Sequence, residues 1–236
     1  MAHFYTWSAT MYELRSARPG HDFCKSGLCV AIAPYKGLSP LAPPKRLSPV
    51  DLPSTNGFDK PFAASKFDND KSTFTKGENM YFIRKINGDE VAEALALALD
   101  VFMQFEAPDY EPEGVATFKR DIVENEEFIN SCRQGICPIY AAYDGNKIVG
   151  IMGMRASKTH INLVFTKKEY HRQGIATALF NYLLEDVLKD NPSLKEITLN
   201  SSPYGKGFYL HIGFIPLSEE QEIDGIRFTP MKYMVR

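Results

Sequence analysis

One stretch of this chain restricts its possible folds more than any other: His160 to Lys189, HINLVFTKKEYHRQGIATALFNYLLEDVLK. It begins with an apolar, β-branched run (Ile161, Leu163, Val164, Phe165), crosses a polar segment from Lys167 to Tyr170, and enters the turn Arg172-Gln173-Gly174. Beyond the turn, Ile175, Leu179, Tyr182, Leu183 and Val187 recur at helical spacing. Thr177, Asn181, Glu185 and Lys189 form the opposite polar stripe, with Glu185 and Lys189 a favourable i,i+4 pair. The spacing therefore predicts a strand, a basic glycine turn and a helix. Such a junction aims the unpaired N–H groups of the first helical turn, and the positive end of the helix dipole, beyond the end of the strand. An anion is the preferred guest there, above all a phosphate or pyrophosphate. Gly174 and Ala176 keep bulky side chains out of the way, and Arg172 supplies a cation. The same pattern also serves as a plain strand-to-helix connection, so the turn alone leaves both readings open.

The segment resembles motif A of the GNAT superfamily of N-acetyltransferases: Arg or Gln, two residues, Gly, one residue, then Gly or Ala, between a strand and a helix. The matching residues are His171, Gly174 and Ala176, so the first position departs from the pattern. In the family, backbone amides hold the coenzyme A pyrophosphate, which makes that side chain the less critical part. Further on, Asn200-Ser201-Ser202-Pro203-Tyr204 followed by Phe208-Tyr209-Leu210-His211-Ile212-Gly213-Phe214 resembles the family's late strand, loop and short helix ending in Gly-Phe. The resemblance spans about Met80 to the C-terminus.

It implies acetyl-coenzyme A as co-substrate, no metal, and direct attack by a primary amine of a small molecule or protein in a ternary complex. It places the coenzyme against Val164, Phe165 and Thr166, against the turn His171, Arg172, Gln173, Gly174, Ile175, Ala176 and Thr177, and against Ser202. Tyr209 occupies the position of the family's frequent general acid, and a phenol suits the protonation of a thiolate. For the base, alternation puts His160, Asn162, Val164 and Thr166 on one strand face, and His160 sits near where some relatives carry a catalytic glutamate. The alternatives are that His160 is merely an exposed residue of the Lys158-Thr159-His160 turn, and that deprotonation is relayed by water with no single base. The alternative function is a GNAT-fold module that binds acyl-coenzyme A without turnover.

The expected fold class is α/β: a GNAT-like mixed central sheet flanked by helices, preceded by a flexible N-terminal arm. Residues 1–79 hold eight of the 15 prolines and show no sustained periodicity. They read as a disordered or loosely packed arm and linker that supplies no core face, with residues 80–236 as the acetyltransferase domain. Within that domain the order should be β-α-α-β-β-β-α-β-α-β-β. A helix follows Asn87-Gly88-Asp89, a second covers roughly Gly114 to Cys132, and Asp144-Gly145-Asn146 turns a hairpin. The strand before the long helix and the one at Glu196 to Asn200 should be parallel, joined by a right-handed crossover.

A formal net charge of −2 gives no reason to expect a nucleic-acid partner. The longest apolar stretch, Val91 to Phe105, is too short for a bilayer, so no membrane partner is expected and the chain reads as cytoplasmic. A homodimer is compatible with the pattern. Cys24 and Cys29 near His21 fit no common zinc spacing. The loop acids Asp109, Glu111 and Glu113 make a cationic acceptor electrostatically reasonable.

Overall fold

A computed structural model describes residues 67–68, 71–76 and 79–235; His21, Cys24, Cys29 and most of the expected arm lie outside the described residues. The strands are β1 (Phe67–Asp68), β2 (Lys71–Lys76), β3 (Asn79–Lys85), β4 (Ile139–Asp144), β5 (Lys147–Met154), β6 (His160–Thr166), β7 (Glu196–Ser201), β8 (Ile215–Pro216), β9 (Gln221–Ile223) and β10 (Ile226–Met234). The helices are α1 (Val91–Phe105), α2 (Pro112–Phe118), α3 (Glu126–Arg133), α4 (Ile175–Asp190) and α5 (Lys206–His211). The sheet runs β1-β2-β3-β4-β5-β6-β7-β10-β8, with β9 paired to β10. Its neighbours are antiparallel except β6 and β7, which are parallel because α4 carries the chain back across the sheet.

The central strands β4 and β5 send alternate side chains into two cores, one on each face of the sheet. Ile139, Ala141 and Tyr143 of β4 pack with Leu95, Ala98 and Phe102 of α1, whereas Tyr140 and Ala142 pack with Leu179 and Leu183 of α4. The α4 face buries Ile175, Leu179, Phe180, Leu183 and Val187. At about 1.5–3 kcal/mol per large apolar side chain, an upper estimate, that face contributes on the order of 10 kcal/mol to holding the helix on the sheet. Asp186 fixes its direction, accepting from the Tyr140 hydroxyl at 2.8 Å and lying 2.9 Å from the Lys85 ammonium.

The helix expected after Asn87-Gly88-Asp89 is α1, with Val91, Ala94, Leu95, Ala98, Val101 and Phe102 buried at i, i+3, i+4 spacing. Its start is held by Glu90, which accepts from the Asn87 N–H at 2.9 Å and the Tyr143 hydroxyl at 2.8 Å, and pairs with Arg84 at 2.6 Å. Arg84 and these donors hold the Glu90 carboxyl down at about 2. The single helix expected from Gly114 to Cys132 is instead broken into α2, one π-helical turn at Lys119–Val123, and α3. The break is local chemistry. Asn125 caps α3 by accepting from the Phe128 N–H at 2.9 Å, a start signal that competes with continuation.

Another difference lies at the N-terminal edge. Residues 71–76, which the sequence places in a polar linker, form β2 and pair with β3 from Ser72↔Ile83 to Lys76↔Asn79. Among the described residues no helix is long and apolar enough to cross a membrane.

Candidate active site

The turn between β6 and α4 is built for exposed amides. Arg172 and Gly174 both hold positive φ, 59° and 84°, which sets the chain off β6 and launches α4 at Ile175. Because the first intrahelical bond runs from the Ala178 N–H to the Gly174 carbonyl, the amides of Ile175, Ala176 and Thr177 have no carbonyl partner within the helix. Ile175 contributes only its backbone, since its side chain is in the core. The His171 Nε2–H donates to the Thr166 carbonyl at 2.7 Å and the Gln173 amide donates to the Glu169 carbonyl at 2.8 Å, tying the loop to the strand it leaves.

The N-terminal hairpin braces this loop. The Tyr81 hydroxyl donates to Gln173 Oε1 at 2.5 Å, and the Lys76 ammonium donates to the Arg172 carbonyl. Phe74 stacks on Tyr81 with centroids 6.1 Å apart, and a Cβ placed on Gly174 would stand 3.1 Å from the Phe74 ring. A chain begun at Met80 would lose Phe74 and Lys76, so its melting temperature is expected to fall below that of a chain begun at Phe67. The scale is roughly 2–4 °C for each kcal/mol lost in a domain of this size. Equal melting temperatures would show that β2 is dispensable.

β6 and β7 form the opening that this loop overlooks. They are paired only at His160↔Thr198 and Ile161↔Leu199, and no later residue of β6 is paired with β7. The Lys167 N–H bonds to the Val149 carbonyl on β5. Backbone alternation then turns the amide of Phe165 toward β5 as well, and those of Val164 and Thr166 toward the gap. Across the gap lie Ser201 and Ser202, both buried, and the Ser202 hydroxyl accepts from the Gly205 N–H at 3.2 Å at the entry to α5. Tyr209 of α5 is 7 % exposed, its ring 5.2 Å from Phe208 and 5.7 Å from Phe214.

Into this space α1 delivers a carboxylate that the sequence reading passed over. Glu106 caps the C-terminal end of α1, its N–H bonded to the Phe102 carbonyl. Its side chain bonds Ser202, while Oε2 is buried without a partner among the described residues. Burial, against the opposing Ser202 bond, raises its carboxyl to about 7, with the Asp109 charge adding to the rise. Burial first, and then the Glu106 charge, raise the Tyr209 phenol. Glu106, Ser202 and Tyr209 are therefore one electrostatic group. Around them Phe105 stacks on Tyr204 at 5.1 Å and tilts against His171 at 4.9 Å, an aromatic row spanning the β6 and β7 sides of the gap. A signal for Glu106 did exist in the sequence: a carboxylate at a helix C-terminus faces the negative end of the dipole, an unfavourable position for a residue with only a structural duty.

His160 stands elsewhere. The register of β6 against β5 shifts between Gly153 and Met154, so Asn162 has no partner and the alternation is reset. Ile161 consequently packs on the α4 side, but Leu163 and Phe165 on the α1 side. The expectation that His160, Asn162, Val164 and Thr166 share a face is corrected by this bulge. His160 lies where β6 and β7 are still joined, its Nδ1 2.8 Å from the Thr198 hydroxyl and its Nε2 buried without a partner among the described residues. Burial, aided by the Arg155 charge, holds the imidazole down at about 3. Val164 is four positions further along β6, roughly 13 Å at about 3.3 Å per residue.

Comparison with known proteins matches residues 106–235 to the family described as "Acetyltransferase (GNAT) domain". Among solved structures, the GCN5-related N-acetyltransferase (aminotransferase, class II) of Rhodopseudomonas palustris is 18% identical, covering 65% of this chain and 94% of that one at a TM-score of 0.54. The PaiA N-acetyltransferase of Thermoplasma acidophilum, in complex with coenzyme A, is 19% identical over 66% of this chain and 99% of its own, at 0.52. A GNAT-family acetyltransferase of Staphylococcus aureus is 15% identical over 66% and 99%, at 0.51. At these identities the likeness is one of fold. No curated protein sequence matches the chain.

Proposed function

The chain belongs to the GNAT acetyltransferase family, and from that membership we propose that it is an N-acetyltransferase that moves the acetyl group of acetyl-coenzyme A to a primary amine. The observation that carries this reading is the parting of β6 and β7 after two paired positions, with unpaired helix-start amides at one end and a buried carboxylate beside a buried phenol at the other. The residues fit the co-substrate. The amides of Gly174, Ile175, Ala176 and Thr177 suit a pyrophosphate, with Arg172 and Lys76 as nearby cations. Val164 and Thr166 would face the pantetheine arm, and Ser202 would lie across from them.

In this scheme Glu106, in place of His160, accepts the proton that the attacking amine gives up as its nitrogen bonds to the thioester carbon. A base near pH 7 is well matched to that task. The Val164 amide steadies the carbonyl oxygen as charge develops on it. When the carbon–sulfur bond breaks, Tyr209 protonates the departing thiolate. Burial of a carboxylate with one oxygen unpartnered is costly, and that cost is a specific point against a module that only binds acyl-coenzyme A.

Calorimetry on the purified protein is expected to show acetyl-coenzyme A binding that Gly174→Ala weakens at least about tenfold. An L side chain at positive φ costs roughly 1–2 kcal/mol, and the new Cβ would press on Phe74 and tilt the amides. Unchanged affinity in Gly174→Ala would remove the turn from the coenzyme site, and no binding by the wild-type chain would remove the reading itself.

A further inference from the structure

We infer that the acceptor is a small alkyl amine bearing a second cationic group, with its reacting nitrogen at Glu106 and its distal charge held by Asp109 and the carboxylates around it. This rests on the transferase reading above and adds a substrate class to it. The Glu106 carboxylate, with its unpartnered Oε2, forms the floor. Asp109 stands one short turn further on, its N–H bonded to the Glu106 carbonyl at 2.9 Å, and its side chain is exposed.

The surrounding walls bring more acids together. The Tyr110 hydroxyl donates to the Arg227 carbonyl at 3.1 Å, which fixes this turn against β10. The backbone of Gly114 in α2 lies so close to the β9–β10 turn that a Cβ there would be 2.1 Å from the Gly225 carbonyl oxygen, and the Thr117 hydroxyl donates to the Asp224 carbonyl at 3.1 Å. The charges of Asp109 and Glu222 reach Arg227 beside Glu220, and those of Glu113 and Asp224 reach Arg120, so the acids of this turn, of α2 and of the β9–β10 hairpin gather as a rim around two arginines. Both are engaged: Arg227 with Glu220 at 2.6 Å and Arg120 with Asp121 at 2.5 Å. The rim, with Asp109, Glu113, Glu220, Glu222 and Asp224 against Arg227 and Arg120, keeps an excess of negative charge near Glu106. A single ammonium satisfies the floor, and a second one is needed to use the rim. The aromatic row of Phe105, Tyr204 and His171 offers apolar surface to a methylene chain.

The test compares two amines of equal length, 1,5-diaminopentane and 1-aminopentane, with acetyl-coenzyme A and detection of the free thiol. The expected result is a kcat/KM at least about tenfold higher for the diamine, an advantage that shrinks as salt screens the rim. Measured above about pH 8, where Glu106 is ionised with or without the neighbouring charge, Asp109→Asn should raise KM for the diamine several-fold more than for 1-aminopentane. Equal kcat/KM for the two amines, or an equal effect of Asp109→Asn on both, would overturn the inference while leaving the transferase reading standing. Binding of acetyl-coenzyme A without thiol release on either amine would overturn both.

Discussion

Glu106→Gln is expected to lose roughly 10²- to 10⁴-fold in kcat, the usual contribution of a positioned base, and at the same time to become more stable above pH 7. Both effects have one cause. The carboxyl of Glu106 rises from 4.5 to about 7 chiefly because it is buried, so the folded state binds its proton more tightly than the unfolded chain does. The stability tied to that proton is fully present below pH 4.5 and is lost as pH rises through about 7. At 1.36 kcal/mol per pKa unit, the loss is on the order of 3 kcal/mol. Glutamine keeps the shape and the capacity to bond Ser202 but carries no charge to desolvate, so its melting temperature relative to the wild type should rise across that window. The rise of wild-type kcat/KM through about pH 7 should vanish with it. His160 provides an internal control with the opposite sign: its imidazole is held down at about 3, so its contribution is lost as pH falls below 6.5, and the Gln variant should leave that acid limb untouched. A Gln variant with wild-type turnover would return the base to solvent.

What the sequence made legible follows from how local the information was. The β4–β5 hairpin around Asp144-Gly145 and the passage from β6 through Gly174 into α4 are written in turn chemistry and periodicity within a few residues. The parallel pairing of β6 with β7 follows from the helix between them. The face of His160 was misread because strand alternation is a phase, and one unpaired residue, Asn162, resets it without any sequence signal of its own. Glu106 was missed for a different reason. Its environment is assembled from Phe105 beside it, Ser202 nearly a hundred residues away and Tyr209 beyond that, and no window of sequence contains that juxtaposition. β2 fell into the linker because its sequence, KSTFTK, has a single large apolar residue, Phe74, whose partners Tyr81 and Gly174 are on other elements.

Tyr209→Phe separates the acid role from packing. The ring is buried against Phe208 and Phe214, and phenylalanine preserves those contacts, so folding and acetyl-coenzyme A affinity should be nearly unchanged. Turnover should fall roughly 10²- to 10⁴-fold, because the lost hydroxyl acts only as sulfur takes on charge. Burial raises the phenol above its ordinary range, which keeps it protonated at every pH where the amine is reactive. Dry surroundings penalise phenolate and thiolate alike, so the transfer relies on Glu106 having become neutral by taking the amine's proton, which removes the charge that opposed the phenolate; the phenolate then regains a proton from solvent as coenzyme A leaves. A loss in kcat with little change in coenzyme affinity marks an interaction made chiefly in the transition state. The leaving group supplies the sharper discrimination. Replacing the thioester with an acetyl ester of a more acidic thiol should rescue Tyr209→Phe more than the wild type, since a better leaving group needs the proton less. No such differential rescue, or full activity of the Phe variant on acetyl-coenzyme A, would leave Tyr209 as a core aromatic and the thiolate to be protonated by water.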